Sequence, residues 1–337
     1  MSLPEINRCP ATLQPGFHTY SPVAQQSLFG SRSKKVSHIL PFTSPGKNDE
    51  QTREYNEKRK RISISGVQEK YSLRLQKNSL YLTDTDGTHI LKPVPAERLA
   101  MVNDLPANEH VSMLIAREIL GIKTAACGMI FFADGSPAYI TRRFDYKPGG
   151  AGKYQVEDFA TLLAKTPERE GNNSKYNASY LDIAKQIQQY VSAVPVVMLE
   201  FFRILVCNYL IANGDAHLKN FSLMETEQGD YILSPAYDLL CTALHIDDSR
   251  LALNGGLYEG DYNEKSYLNF GTYTGNSFIV FAEMIGINPT LAGKVIEESM
   301  RGTLKAMELV EISFLSKEAK KKYMDILGDR HRCLGLK

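Results

Sequence analysis

The chain has 337 residues, 43% of them hydrophobic and 23% charged, and a formal net charge of +1. That balance excludes a disordered chain and gives no overall pull toward nucleic acid or an anionic membrane surface. Five scattered cysteines with no CxxC pair exclude a disulfide scaffold and a zinc cluster, so a reduced, cytoplasmic setting with no membrane partner is expected.

The length is too great for one ordinary core and predicts two lobes. Residues 1–50, rich in Pro, Ser and Gly and without the apolar stretch of a signal peptide, read as an irregular arm with short elements. A basic run, EYNEKRKR at 54–61, follows. Apolar alternation then places a strand at Ile62 and Ile64, a turn at Gly66, and a second strand through Tyr71, Leu73 and Leu75. Short strands at 80–82 and 89–91 flank TDTDG, a hairpin signal. Residues 108–120 carry apolar positions at helical spacing, with Asn108 as the expected cap and Gly121 as the stop. Strands at 127–132 and 138–141 flank the turn ADGSP.

The pattern changes after KPGGAGK at 147–153. Helices are expected at 156–163, 180–191, 196–212, 277–285, 291–309 and 317–327, with a strand pair at 221–224 and 231–233. The most apolar of these, 196–212, carries Glu200, Arg203 and Asn208 and reads as a buried helix rather than a membrane span. The expected fold is α+β: two-lobed and protein-kinase-like, with a β-rich N-lobe at 1–144 and a mostly helical C-lobe at 145–337.

Phosphoryl transfer requires an acid to orient the acceptor hydroxyl, oxygen ligands for Mg2+, and a cation with backbone amides around the phosphates. NGDAHLKNFSLM, which follows the apolar helix, contains Asp215 and Asn220 at the D-x4-N spacing of a kinase catalytic loop. Asp238, in SPAYDLL just after the strand pair, is the candidate second metal ligand. Lys219 is a candidate to steady the transferred phosphate, and His217 to orient the loop. Lys92, ending the strand in THILKPV, is the candidate phosphate lysine. Glu109 can pair with it, although an exposed acid in the first turn of a helix is the plainer reading. In SISGVQEK, residues Ser65, Gly66, Val67 and Gln68 form a turn able to lie over phosphates, with one glycine and no GxGxxG. Each feature alone also fits a solvated loop, a cap or a strand.

SISGVQEK, HILKP, NEHVSMLIAREILGI, RRFDY, NGDAHLKNFSL and PAYDLL occur in that order. Together they resemble the HipA family of bacterial Ser/Thr kinase toxins, over roughly residues 60–240, and the chain length resembles the short HipT-type members. The resemblance implies ATP and Mg2+ as cofactors, Asp215 as the catalytic Asp, Asn220 and Asp238 as metal ligands, and Lys92 at the phosphates. It further implies an adenine-lining hinge at Arg143 and Phe144, and inhibitory autophosphorylation at Ser63, with Ser65 as a second site. The implied substrate is a protein, an aminoacyl-tRNA synthetase. The implied partners are a cognate antitoxin, through which alone DNA would be met, and a separate small protein in place of the N-terminal subdomain of long members. A small-molecule or lipid kinase and a non-catalytic ATP-binding module are the rival readings.

Overall fold

The structure, a computed structural model, describes residues 5–45, 69–96, 99–147 and 152–336. The chain divides into two compact units: unit 1 comprises 1–114, 125–144 and 312–319, and unit 2 comprises 115–124, 145–311 and 320–337.

Unit 1 is built on a five-stranded antiparallel sheet in the order β2-β1-β3-β5-β4. The strands are β1 Tyr71–Gln76, β2 Ser79–Leu82, β3 His89–Pro93, β4 Cys127–Phe131 and β5 Pro137–Arg142. Alternation in β1 works as expected: Tyr71 and Leu73 are buried and Arg74 is exposed. The hairpin, however, is not at TDTDG. β1 turns directly into β2 through Lys77 and Asn78, with Lys77 in the left-handed region at φ 54°. β3 then pairs on the opposite edge of β1, so TDTDG carries the chain across β1 rather than closing a hairpin. A two-residue turn that opens on a positive φ matches the strand twist.

The first forty residues contribute to the core. Cys9, Ala11, Tyr20, Ala24, Leu28, Phe29, Val36 and Leu40 pack with Leu73, Leu91, Ile130 and Ile140 in one buried cluster. Backbone bonds from Leu40 to the Phe131 carbonyl (2.7 Å) and from Phe131 to the His38 carbonyl (2.8 Å) attach this segment alongside β4. Helix α1 (Pro22–Phe29) begins at Ser21, whose hydroxyl caps the Ala24 N–H, and ends at Gly30 with φ 84°. Helix α2 runs Leu105–Leu114 and all ten of its residues are buried. It starts three residues before the expected cap. Asn108 lies inside it, fully buried, where its amide oxygen accepts from the Ser112 hydroxyl at 3.2 Å.

Unit 2 holds a second sheet, β6-β7-β8, made of Val156–Asp158, Ser222–Glu225 and Tyr231–Leu233. The segment 156–163 is therefore not one helix. Its first three residues pair with β7, and α3 (Phe159–Leu162) starts only where the Asp158 side chain accepts the Thr161 N–H. After α4 (Pro167–Glu170) come α5 (Tyr180–Tyr190), closed by a Ser179–Asp182 capping box, and α6 (Val194–Leu210), the apolar helix at the centre of the unit. Phe201 of α6 meets Phe221 edge to face at 5.7 Å, seating the start of β7 on the helix. Helices α7 (Lys265–Phe270), α8 (Gly275–Met284) and α9 (Pro289–Ile312) follow, and the chain ends in α10 (Lys317–Gly335). No helix among the described residues is long and apolar enough to cross a membrane.

Candidate active site

The loop that follows α6 is formed by a break in the helix. Ala212 takes φ 55°, a conformation disfavoured for any residue with a Cβ, and turns the chain out of the helix. The Thr242 hydroxyl holds both sides of that turn, donating to the Ala212 carbonyl (3.1 Å) and accepting the Gly214 N–H (2.8 Å). Gly214 has no room for a side chain: a Cβ there would lie 2.5 Å from the Asp248 carboxyl and from the Ser249 carbonyl.

Asn213, 3% exposed, ties the parts together. Its amide oxygen accepts the Asp215 N–H at 3.2 Å. Its NH2 donates to the Asn208 side-chain oxygen at 2.7 Å and to the Asp238 carbonyl at 3.4 Å. One carboxamide thus links α6, the backbone of Asp215 and the backbone of Asp238. Two further groups hold the loop from outside and one from within. The Tyr180 hydroxyl donates to the Ala216 carbonyl (2.8 Å). The Tyr237 hydroxyl donates to the Lys219 carbonyl (2.9 Å) while sharing a 2.5 Å bond with Ser222. The His217 N–H donates to the Asn220 side-chain oxygen at 3.2 Å.

Asn220 and Asp238, eighteen residues apart, end side by side: the Asn220 Nδ2 donates to the Asp238 Oδ2 at 3.3 Å. Asp238 sits at φ 57°, a left-handed conformation that Asp tolerates better than most residues and that marks functional positions. One carboxylate beside one carboxamide suits Mg2+, a hard ion held by one or two protein oxygens that completes its shell with phosphate and water. A transition-metal cage is a different matter: among the described residues, no group of three or more His, Cys, Asp or Glu stands close enough to hold a metal.

Asp215, with its side chain 40% exposed, accepts the Tyr176 hydroxyl on Oδ1 at 2.5 Å, and the His217 Nε2 stands 3.9 Å from the same oxygen. The Tyr176 ring packs edge to face on His217 at 5.3 Å. Burial, then the hydrogen bond and charge of Asp215, then the charge of Asp248 push the Tyr176 phenol well above its ordinary pKa, so it remains a donor. Lys219 is half-buried in the short 3₁₀ turn Leu218–Asn220.

In unit 1, Lys92 lies on β3 opposite Tyr139 and its Nζ is 2.6 Å from the Glu109 Oε1, with side-chain exposures of 5% and 1%. The surface reading of Glu109 is overturned: α2 begins at Leu105, so Glu109 is in its interior, and it faces a lysine rather than water. The Arg143 N–H donates to the Thr88 carbonyl at 3.0 Å, holding the chain at the end of β5, and Arg143 and Phe144 are both partly exposed. Ser63, Ser65, Gly66, Val67 and Gln68 lie outside the described residues.

Within unit 2, then, Asp215, Lys219, His217, Asn220 and Asp238 are gathered on one loop system, and within unit 1 Lys92 meets Glu109. Sequence reasoning missed Tyr176, Asn208, Asn213 as a linker, and Thr242. Only Asn213 carried a signal, its place in the loop motif.

This is a kinase-like fold in which a helix-anchored loop carrying Asp215 and Asn220 meets Asp238 from the segment after β8. Residues 62–307 match the HipA-like C-terminal domain, and the chain belongs to that family of kinases. It is 29% identical over 276 residues to a Haemophilus influenzae protein named "Putative kinase", covering 77% of this chain and 78% of that one. It is 34% identical over 211 residues to "Putative kinase Y4dM" of Sinorhizobium fredii, covering 58% of this chain and 48% of that one. Among solved structures it is similar to HipA of Shewanella oneidensis MR-1, determined in a complex with HipB and its operator DNA. The TM-score is 0.60 at 19% identity, and the match covers 81% of this chain and 65% of that one.

Proposed function

We propose that the protein is a Mg-ATP-dependent serine/threonine protein kinase, the toxin of a HipA-type toxin–antitoxin module. The observation that carries the reading is that the Asn213 carboxamide ties the backbones of Asp215 and Asp238 together while the Asn220 side chain bonds directly to the Asp238 carboxylate. Asp215 accepts the acceptor hydroxyl's hydrogen bond and aims its oxygen at the γ-phosphate. Asn220 and Asp238 would hold Mg2+ by their side-chain oxygens, and the bound ion would neutralise the charge that develops on the phosphates. Lys92, held by Glu109, binds the phosphates, Lys219 steadies the transferred group, and His217 keeps the loop in shape. The chain at Arg143 and Phe144 lines the adenine, and Ser65 through Gln68 cover the phosphates.

The family resemblance extends the proposal. The substrate is an aminoacyl-tRNA synthetase, and its modification arrests translation. Autophosphorylation at Ser63 or Ser65 lowers activity, each phosphate adding roughly −1.5 to −2 charge beside the basic run at 58–61. An antitoxin partner is in keeping with the HipA–HipB complex solved for the Shewanella protein, and DNA would be met only through it. The setting is cytoplasmic.

The test is a phosphoproteome after induction, comparing wild type with Asp215→Asn, alongside ATP-binding measurements on the purified chain. Asp215→Asn is expected to bind ATP as wild type does and to lose transfer by about 10²–10⁴-fold. Asp238→Ala is expected to weaken Mg-ATP binding itself, and unchanged nucleotide affinity would remove Asp238 from the metal site. Transfer to a metabolite or lipid alone rejects the protein-kinase reading. ATP binding with no transfer to any acceptor establishes a non-catalytic module instead.

A further inference from the structure

Resting on the phosphotransfer reading, we propose that Tyr176 is a positioning residue for Asp215: its phenol O–H, donated to Oδ1 at 2.5 Å, sets which edge of the carboxylate meets the acceptor hydroxyl. Tyr176 lies 39 residues before Asp215, in the short turn Ser174–Tyr176 that precedes α5, outside every motif that marks the loop.

Two roles fit a hydroxyl hydrogen-bonded to such an acid. It can stand in for the substrate as a plug that must leave, or it can be a fixed support. The anchoring of Tyr176 decides for support. Its carbonyl accepts the Asn254 N–H at 2.9 Å. The residues after it run alongside the same segment, with bonds from Gly255 to the Ala178 carbonyl (3.0 Å), from Tyr180 to the Gly256 carbonyl (3.0 Å) and from Leu181 to the Leu257 carbonyl (2.9 Å). The approach is tight at Gly255, where an added Cβ would lie 3.0 Å from the Ala178 carbonyl and the Ser179 Cβ. On its other side the ring rests on His217, which is 2% exposed. A plug needs freedom to swing, and Tyr176 is held at its backbone and along its ring.

The chemistry permits support without obstruction. A carboxylate offers about four lone-pair positions on two oxygens, so a bond to Oδ1 does not consume the acid's capacity for an acceptor hydroxyl. Without that bond the side chain of Asp215 turns about its own torsions, and a misplaced base loses rate far more than it loses nucleotide affinity. Tyr180 supports the same loop through the Ala216 carbonyl. Two tyrosines four residues apart thus fix the acid, one by its side chain and the other by the backbone beside it.

The experiment uses the full chain, γ-labelled ATP and the transfer of label to the chain itself or to water, with Tyr176→Phe, Asp215→Asn and the double variant. Tyr176→Phe keeps the ring on His217 and removes only the O–H. The expected result is a fall in kcat of about tenfold or more, KM for ATP within about twofold of wild type, an unchanged melting temperature, and no additional loss when Tyr176→Phe is added to Asp215→Asn. Wild-type rates in Tyr176→Phe, or an equal further loss on the Asp215→Asn background, would overturn the positioning role. A rise in kcat would overturn it too, and would assign Tyr176 as a plug. If the wild type transfers label to neither acceptor, the phosphotransfer reading itself fails, an outcome visible before any variant is compared.

Discussion

Asn213 occupies a place in the loop that no other side chain can fill without loss. Its oxygen must accept, from the Asp215 N–H, and its nitrogen must donate, to the Asn208 oxygen and the Asp238 carbonyl. This division of roles makes a sharp prediction. Asn213→Ala leaves buried groups unmatched and should lower stability by about 1–3 kcal/mol. Asn213→Asp, nearer in shape, should be worse than Ala, because a second oxygen would then face the Asn208 oxygen and the Asp238 carbonyl in a site 3% exposed. Urea unfolding of the two variants checks the order, and an Asp variant as stable as wild type would show that the donor half of the amide does not matter. The left-handed Ala212 and Asp238 belong to the same account: the loop keeps conformations that are costly in isolation because its neighbours fix them.

Among the elements, β3 and α2 carry the most consequential pair. Lys92 and Glu109 are 2.6 Å apart and nearly free of solvent. Such a pair contributes little net stability, yet removing one partner takes the close counter-charge at 2.6 Å from a buried ion. Lys92→Met should therefore destabilise by roughly 3–5 kcal/mol, and Lys92→Met combined with Glu109→Leu should recover most of that loss. Denaturant unfolding of the single and double variants separates this structural cost from any loss of ATP binding, which the double variant should not regain. The pair also marks how far elements can be read from sequence. β1 was legible because its alternation is regular, and α6 because its apolar run is long. β6 was not: three residues ahead of a short helix show no period of their own, and only their pairing with β7 makes them a strand. α2 was misplaced because it is buried on every side, so no polar face marks its start and Asn108 imitated a cap. For the site, the spacing around Asp215 and Asn220 was visible as a motif. The contacts that shape it come from Asn208, a polar position five residues before Asn213 in an apolar helix, and from Tyr176 and Thr242, ordinary residues made relevant only by chain folding over separations of 39 and 28 residues.

At the scale of the whole molecule, acid stability divides between groups of opposite kind. His89 in unit 1 is buried, and its environment is arranged for the neutral ring. Its Nε2 donates to the Leu28 carbonyl at 2.9 Å, and its Nδ1 accepts from the Thr88 hydroxyl at 2.8 Å. Burial first, with Arg142 and Lys34 adding like charge, lowers its pKa from 6.5 to about 4, against a smaller upward pull from the Leu28 bond. His38 is shifted the same way by burial. A folded pKa below the unfolded one means that the unfolded chain takes up the proton first as the pH falls. Stability therefore declines from about pH 6.5 downward, and the His89 contribution is spent once the pH reaches about 4. The full effect for His89 is on the order of 3 kcal/mol, since each tenfold difference in proton affinity between the folded and unfolded chain is worth about 1.4 kcal/mol. Asp134 acts lower in the pH range. Burial would raise its pKa, but hydrogen bonds from Ser44 and Ser136 outweigh that and hold it at about 2, so its contribution is present above its ordinary pKa of 3.8 and is lost as the pH falls through 2. Urea midpoints measured at pH 7, 4.5 and 3 should show wild type losing stability over the first interval and His89→Gln losing much less, with the difference between the two slopes shrinking over the second as the His89 contribution runs out near pH 4. A His89→Gln variant with the wild-type slope between pH 7 and 4.5 would assign that loss to other groups.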